Sequence, residues 1–259
     1  MKKNEAAFRK MSFLEHLDEL RKRLFISIIA ILIGFLICWF FSKDIYLFLA
    51  RPVIEFLPPE DKKLAFTSLI DPFFLYMKVA FLAGIFLAAP VVIGQLWLFI
   101  SPGLYKKEKK YALPFIIFAS LFFIGGGLFG YYVAFPMMCR FLLSWGEPFR
   151  PIITIKEYLA MTSKILLGLG LVFELPILIF FLARLGLVTP RFLIKNLKYA
   201  VLICFILAAV ITPTPDVVTQ STFAVPMIGL YCLGILIAIV FGKKREAEEE
   251  EDEEESSEE

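Results

Sequence analysis

The chain has 259 residues, of which 59% are hydrophobic and 16% aromatic, with 29 phenylalanines and a mean hydropathy of +0.77. Soluble chains run at about 45–50% apolar, so a soluble fold of this size could not hide the excess, and lipid is the expected solvent. The composition excludes a disordered chain, a disulfide-stapled secreted domain and most soluble enzymes. A single histidine, His16, leaves little from which to build a His-based catalytic or metal centre.

The formal net charge of +2 hides an asymmetry, because residues 246–259 hold 11 of the 25 acidic residues and no base. That stretch reads as a disordered, solubilising acidic tail over 243–259, facing the cytoplasm. The rest of the chain is strongly basic, as suits loops lying against anionic lipid headgroups.

Residues 1–23 come first and are expected to be cytoplasmic. Leu14, Leu17, Leu20 and Leu24 fall near helical spacing, so the segment reads as amphipathic, lying along the membrane before turning into it. Glu15, Asp18 and Glu19 are acids at a surface that repels acids, and i,i+4 pairing of Asp18 with Lys22 or of Glu19 with Arg23 is their ordinary explanation. Six apolar runs follow within 24–242, at 24–41, 73–100, 111–136, 158–183, 199–212 and 223–241. A helix needs about 20 apolar residues to cross a 30 Å core, and most of the runs approach or exceed that. The first is too long for a signal-peptide core, and no small-x-small cleavage site follows it. The fifth is short, so the last pair is either a re-entrant hairpin or two short spans in a thinned bilayer; two spans is the reading taken.

Counting Lys and Arg in the loops gives 18 on the side of residues 1–23, 101–110, 184–198 and 243–245. The side of 43–72, 137–157 and 213–222 has seven. This positive-inside bias predicts six spans with both termini cytoplasmic. Pro90, Pro114, Pro176 and Pro226 lie in or at the rim of four runs and predict kinks, hence a curved body. Gly126 and Gly130, four residues apart, read as a tight helix-packing face.

Chemistry is sought first in charge inside the runs. Glu174 lies in the middle of the fourth run, where a carboxylate is expensive in lipid and should face protein or water. Lys78 and Lys164 sit nearer run ends and can snorkel. The loop at 101–110 sets one carboxylate, Glu108, among four lysines. Cys38, Cys139, Cys204 and Cys232 form no C-x-x-C pair and read as small hydrophobes.

At these residues the chain resembles the TatC family of the twin-arginine protein translocase. The likeness is carried by HLDELRKRL at 16–24, DPFFLYMK at 71–78, AAPVVIGQLWLFISPGLYKKE at 88–108, FELP at 173–176 and TPTPDVVTQ at 212–220. It implies an all-α integral membrane protein of six transmembrane helices in a cupped, kinked bundle. By resemblance, Glu19 and Glu108 match carboxylates that bind the paired arginines of signal peptides on folded precursors. Arg21, Pro52, Pro90, Phe99 and Tyr105 match recurrent positions around that surface, and Glu174 matches a buried acid on the concave face. Thr212, Asp216 and Gln220 match positions where single-span TatA- and TatB-type partners dock. Lys107 departs from the His that the family often has before the loop glutamate.

The resemblance further implies an oligomeric complex in the bacterial inner membrane, driven by the proton motive force, in contact with anionic lipids. Nucleic acid, cofactor and metal have no part in this reading. A small-solute or ion transporter using Lys78, Lys164 and Glu174 is the alternative, but it predicts internal repeats and more intramembrane charge than the sequence has. An intramembrane enzyme would want a Ser/His, paired Asp or metal constellation that the runs lack.

Overall fold

The computed structural model describes residues 13–57, 63–100, 112–146, 149, 151–184, 186–212 and 216–241. Their backbone is helical apart from turns and one isolated bridge between Ala65 and Thr154. Five stretches are long and apolar enough to cross a membrane: Glu15–Phe40, Asp71–Phe99, Leu113–Ser144, Ile155–Arg184 and Val217–Phe241. Leu197–Ile211 is a sixth apolar helix, of 15 residues. The chain divides into two compact units, residues 1–46 with 76–120, and residues 47–75 with 121–259.

In the first unit, helix α1 (Phe13–Phe40) runs for 28 residues, about 42 Å. The sequence predicted a turn between an amphipathic segment and the first span. No turn is present, and the expected boundary at residue 23 falls inside one helix. The reason is local: Leu20–Leu24 contains neither Pro nor Gly, and an ion pair from Glu19 to Arg23 spans the junction. The helix ends in a tight turn, with Phe41 N–H donating to the Cys38 carbonyl, and α2 (Ser42–Ile54) begins at once.

Helix α3 (Asp71–Ile100) meets α1 backbone to backbone. A Cβ on Gly84 would lie 2.6 Å from the Phe35 nitrogen, and one on Gly34 would lie 2.7 Å from the Gly84 carbonyl oxygen. Only glycine permits that approach, and Ala80 and Ala88, one turn to either side of Gly84, are buried on the same face. Pro90 sits inside α3 without ending it. Most other side chains of α1, from Leu24 to Phe40, are exposed apolar groups, as a lipid-facing helix requires.

Helix α4 (Ala112–Phe129), part of the second unit from Leu121 onward, passes through a π-turn at Gly130–Ala134 into α5 (Phe135–Ser144). Residues 137–144, read from the sequence as loop, are therefore helical. Pro136 would break a regular helix, but the wider turn absorbs it, with Phe135 N–H donating to the Gly130 carbonyl. Gly126 takes up the packing role expected of it: a Cβ there would stand 2.5 Å from the Leu169 carbonyl oxygen of α6 (Ile155–Phe173).

Helix α7 (Leu175–Arg184) follows α6 after a one-residue break at Glu174, with Pro176 in its first turn. Helix α8 (Pro190–Lys195), also unforeseen, is capped by Thr189, whose hydroxyl accepts the Phe192 N–H at 3.2 Å. Helices α9 (Leu197–Ile211) and α10 (Val217–Phe241) pack on one another, and α10 packs on α7 as well. Ile179, Ala183, Leu193, Ile235 and Ala238 form an apolar core there.

The α2 residues from Leu47 onward are tied to this unit by two phenols. Pro52 has no N–H, so the Phe48 carbonyl one turn earlier lacks its helical donor. Tyr131, from the π-turn, donates its hydroxyl hydrogen to that carbonyl, and its ring stacks on Phe48 at 4.5 Å. Tyr158 donates its hydroxyl hydrogen to the Leu49 carbonyl.

Candidate functional site

Glu19 and Arg23 lie one turn apart near the start of α1 and face α3. Arg23 Nη2 donates to Glu19 Oε1 at 3.2 Å, and Arg23 Nη1 donates to Gln95 Oε1 of α3 at the same distance. The two charged side chains are half-buried, Glu19 at 18% exposure and Arg23 at 25%. Glu19 Oε2 and Arg23 Nε are buried with no partner among the described residues. The pair is thus joined by a single contact and is short of the bidentate geometry that a guanidinium and a carboxylate reach at best.

One turn before Glu19, the His16 ring stacks on Phe99 with centroids 4.4 Å apart and planes 18° apart. Phe99 and Glu19 therefore border the same α1–α3 surface. Arg21 does not share it. It is two residues from Glu19, on another face of the helix, and its guanidinium lies over the Phe25 ring at 5.7 Å. Pro90 is exposed on α3, five residues before Gln95. Tyr105 and Glu108 lie outside the described residues. Pro52 is in α2, in the second unit. Its observed work is to free the carbonyl that Tyr131 takes.

In the second unit Glu174 caps the C-terminus of α6. Its N–H donates to Leu171 at 3.1 Å and its carbonyl accepts Leu178 N–H at 2.8 Å. The Oε1 atom is buried without a partner among the described residues. The three expected docking residues all make bonds within the chain. Thr212 donates its hydroxyl hydrogen to the Ala208 carbonyl at 2.9 Å, and Asp216 Oδ1 accepts the Thr219 N–H at 2.6 Å as an N-cap for α10. Gln220 Nε2 donates to the Phe205 carbonyl at 2.9 Å, tying α10 to α9.

A family model described as Sec-independent protein translocase protein (TatC) matches residues 15–226. The chain belongs to the TatC family. The TatC protein of Koribacter versatilis (strain Ellin345) is 46% identical over 251 residues, covering 94% of this chain and 93% of its own length. The TatCy protein of Bacillus subtilis (strain 168) is 39% identical over 235 residues, covering 88% and 89%. A crystal structure described as the twin arginine translocase receptor TatC aligns with a TM-score of 0.76 at 35% identity, over 87% of this chain and 99% of that one.

This TatC chain is accordingly an all-helical, multi-span membrane protein, a translocase component and not an enzyme. The sequence points to Glu19 and Phe99 and offers the i,i+4 pairing of Glu19 with Arg23, which the structure shows, but it gives no sign that Gln95 and His16 join the same cluster. Gln95 shows there only as a polar interruption of an otherwise apolar run. What the sequence could not supply is the register of α1 against α3, which the Gly34–Gly84 contact sets. Chemically the cluster holds a carboxylate already engaged with one guanidinium, so it is suited to binding rather than to reaction.

Proposed function

We propose that this TatC protein is the receptor of its translocase, taking twin-arginine signal peptides of folded precursors at a cytoplasmic face that includes Glu19. The observation that carries this reading is that Glu19 already accepts a guanidinium N–H, from Arg23, at 3.2 Å on a half-buried surface. A carboxylate so set can receive another arginine, each charge-assisted contact contributing about 1.5–3 kcal/mol. Micromolar affinity needs about 8 kcal/mol. The hydrophobic part of a signal peptide would supply the remainder against the exposed apolar surface of α1.

Glu108 is the proposed second carboxylate, with Phe99, Tyr105 and Pro90 around the binding surface, Arg21 on another face of α1 beside Phe25, and anionic lipid over the loop lysines. Pro52 enters this reading only through its support of α2. Thr212, Asp216 and Gln220, with Glu174, are the proposed contacts for TatA- and TatB-type single-span partners in an oligomeric complex powered by the proton motive force. The relative described as a twin arginine translocase receptor supports the reading. So does the 18-to-7 distribution of basic residues, which agrees with both termini facing the cytoplasm.

Site-specific photocrosslinking of a twin-arginine signal peptide to probes at positions 19 and 108 tests the proposal. Efficient crosslinks that vanish with a twin-lysine peptide are expected, and equal crosslinking of both peptides would overturn it.

A further inference from the structure

We propose that Arg23 is a built-in competitor for Glu19, and that Gln95 anchors it, so that the pair sets the preference for arginine over lysine in the incoming signal. This rests on the reading that Glu19 receives a signal arginine. Glu19 is not a vacant carboxylate: Arg23 Nη2 holds its Oε1, and Gln95 holds the other terminal nitrogen from α3. Any ligand cation must therefore exceed an internal pair before it gains Glu19.

That internal pair is a weak one. Its single contact is 3.2 Å long, while Glu19 Oε2 and Arg23 Nε are shielded and without partners among the described residues. A half-buried pair with atoms left unsatisfied is poised to rearrange when a better partner arrives. A guanidinium from the signal presents two parallel N–H groups, matching both carboxylate oxygens at once. It can take Oε1 from Arg23 and pair Oε2 in the same event. A lysine ammonium is a compact point charge that cannot form the fork, so it cannot outmatch a guanidinium already in place. The exchange also leaves no bare charge. Glu19 passes from one guanidinium to another, while Arg23 keeps Gln95 and gains water or lipid phosphate. Without Arg23, Glu19 would attract any cation.

The test uses the full chain in lipid nanodiscs, with equilibrium binding of fluorescent signal peptides carrying Arg-Arg or Lys-Lys. In Arg23→Gln, binding of the Lys-Lys peptide should rise by about fivefold, the worth of a modest ion pair, while the Arg-Arg peptide changes less and the ratio narrows. Gln95→Met, which keeps the ion pair but removes its anchor, should narrow the ratio in the same direction by less. A ratio unchanged in both variants overturns the proposal, as does equal weakening of both peptides, which would make Arg23 an orienting group. Should Arg23→Gln not accumulate, the Gln95→Met ratio decides alone. Glu19→Gln separates the two levels. If it binds the Arg-Arg peptide as wild type does, the receptor reading itself fails at this residue; if it loses binding while the Arg23→Gln ratio stays fixed, only the competitor falls.

Discussion

Glu19 and Glu174 are both carboxylates with one buried oxygen unpartnered among the described residues, yet their surroundings differ. Glu19 has a cation one turn away, and its cost of burial is partly offset by Arg23. Loss of its charge should therefore weaken signal binding without unfolding the helix. Glu19→Gln is expected to reduce affinity for a twin-arginine peptide by roughly 10- to 150-fold, one charge-assisted contact, and Glu19→Lys by more. Titration with labelled peptide across the two variants checks the order, and equal affinity for wild type and Glu19→Lys would remove Glu19 from the site. Glu174 has no such cation among the described residues. It sits where α6 breaks into α7, and its backbone already serves the break through Leu171 and Leu178. The side chain is thus spare to the fold. Glu174→Ala should accumulate to wild-type levels while export of a twin-arginine precursor falls, read by pairing a membrane blot with a transport assay. Failure to accumulate would make the side chain structural.

At the scale of elements, the link between Pro52 and Tyr131 is a closed piece of hydrogen-bond accounting. The proline deletes a donor inside α2, and the phenol from the π-turn replaces it. Tyr131→Phe should leave the Phe48 carbonyl unpaired and cost about 1–3 kcal/mol. Adding Pro52→Ala, which restores the missing N–H, should recover part of that loss. Thermal unfolding of the two single variants and the double variant in detergent gives the coupling, and strictly additive changes would show that the two residues do not share this bond. Apolar runs and charge counts made the spans legible, because hydropathy over 20 residues reports a bilayer directly. The helices outside those runs were not legible. Ser42–Ile54 carries Lys43, Asp44 and Arg51 and so breaks the hydropathy signal, while residues 137–144 follow a proline that ordinarily ends a helix. The site was half legible for the same reason. Glu19 and Arg23 stand one turn apart in a motif, but Gln95, which holds Arg23 from α3, is 72 residues from it and is brought there by a glycine contact that no local pattern reveals.

For the whole molecule, the basic residues predict which loops meet the cytoplasm. Eighteen against seven is a wide margin, and most of it comes from short loops and flanks, where Lys and Arg govern insertion. If the five long helices and Leu197–Ile211 each cross the membrane, the number of crossings is even, so both ends should share a side. The fifteen residues of α9 span only about 22 Å, so six full spans depend on the bilayer thinning around them. Labelling with a membrane-impermeant maleimide tests the arrangement with little background, because Cys38, Cys139 and Cys204 are buried and Cys232, though exposed, lies within an apolar helix that lipid would shield. Leu69→Cys, at a position 95% exposed, should label in intact cells. Lys106→Cys should label only after the membrane is opened, and a cysteine placed at residue 243 should behave like it. Labelling of position 106 from outside would reverse the orientation. Labelling of position 243 from outside, with 106 still protected, would instead leave α9 and α10 with an odd crossing and break the six-span arrangement at that pair.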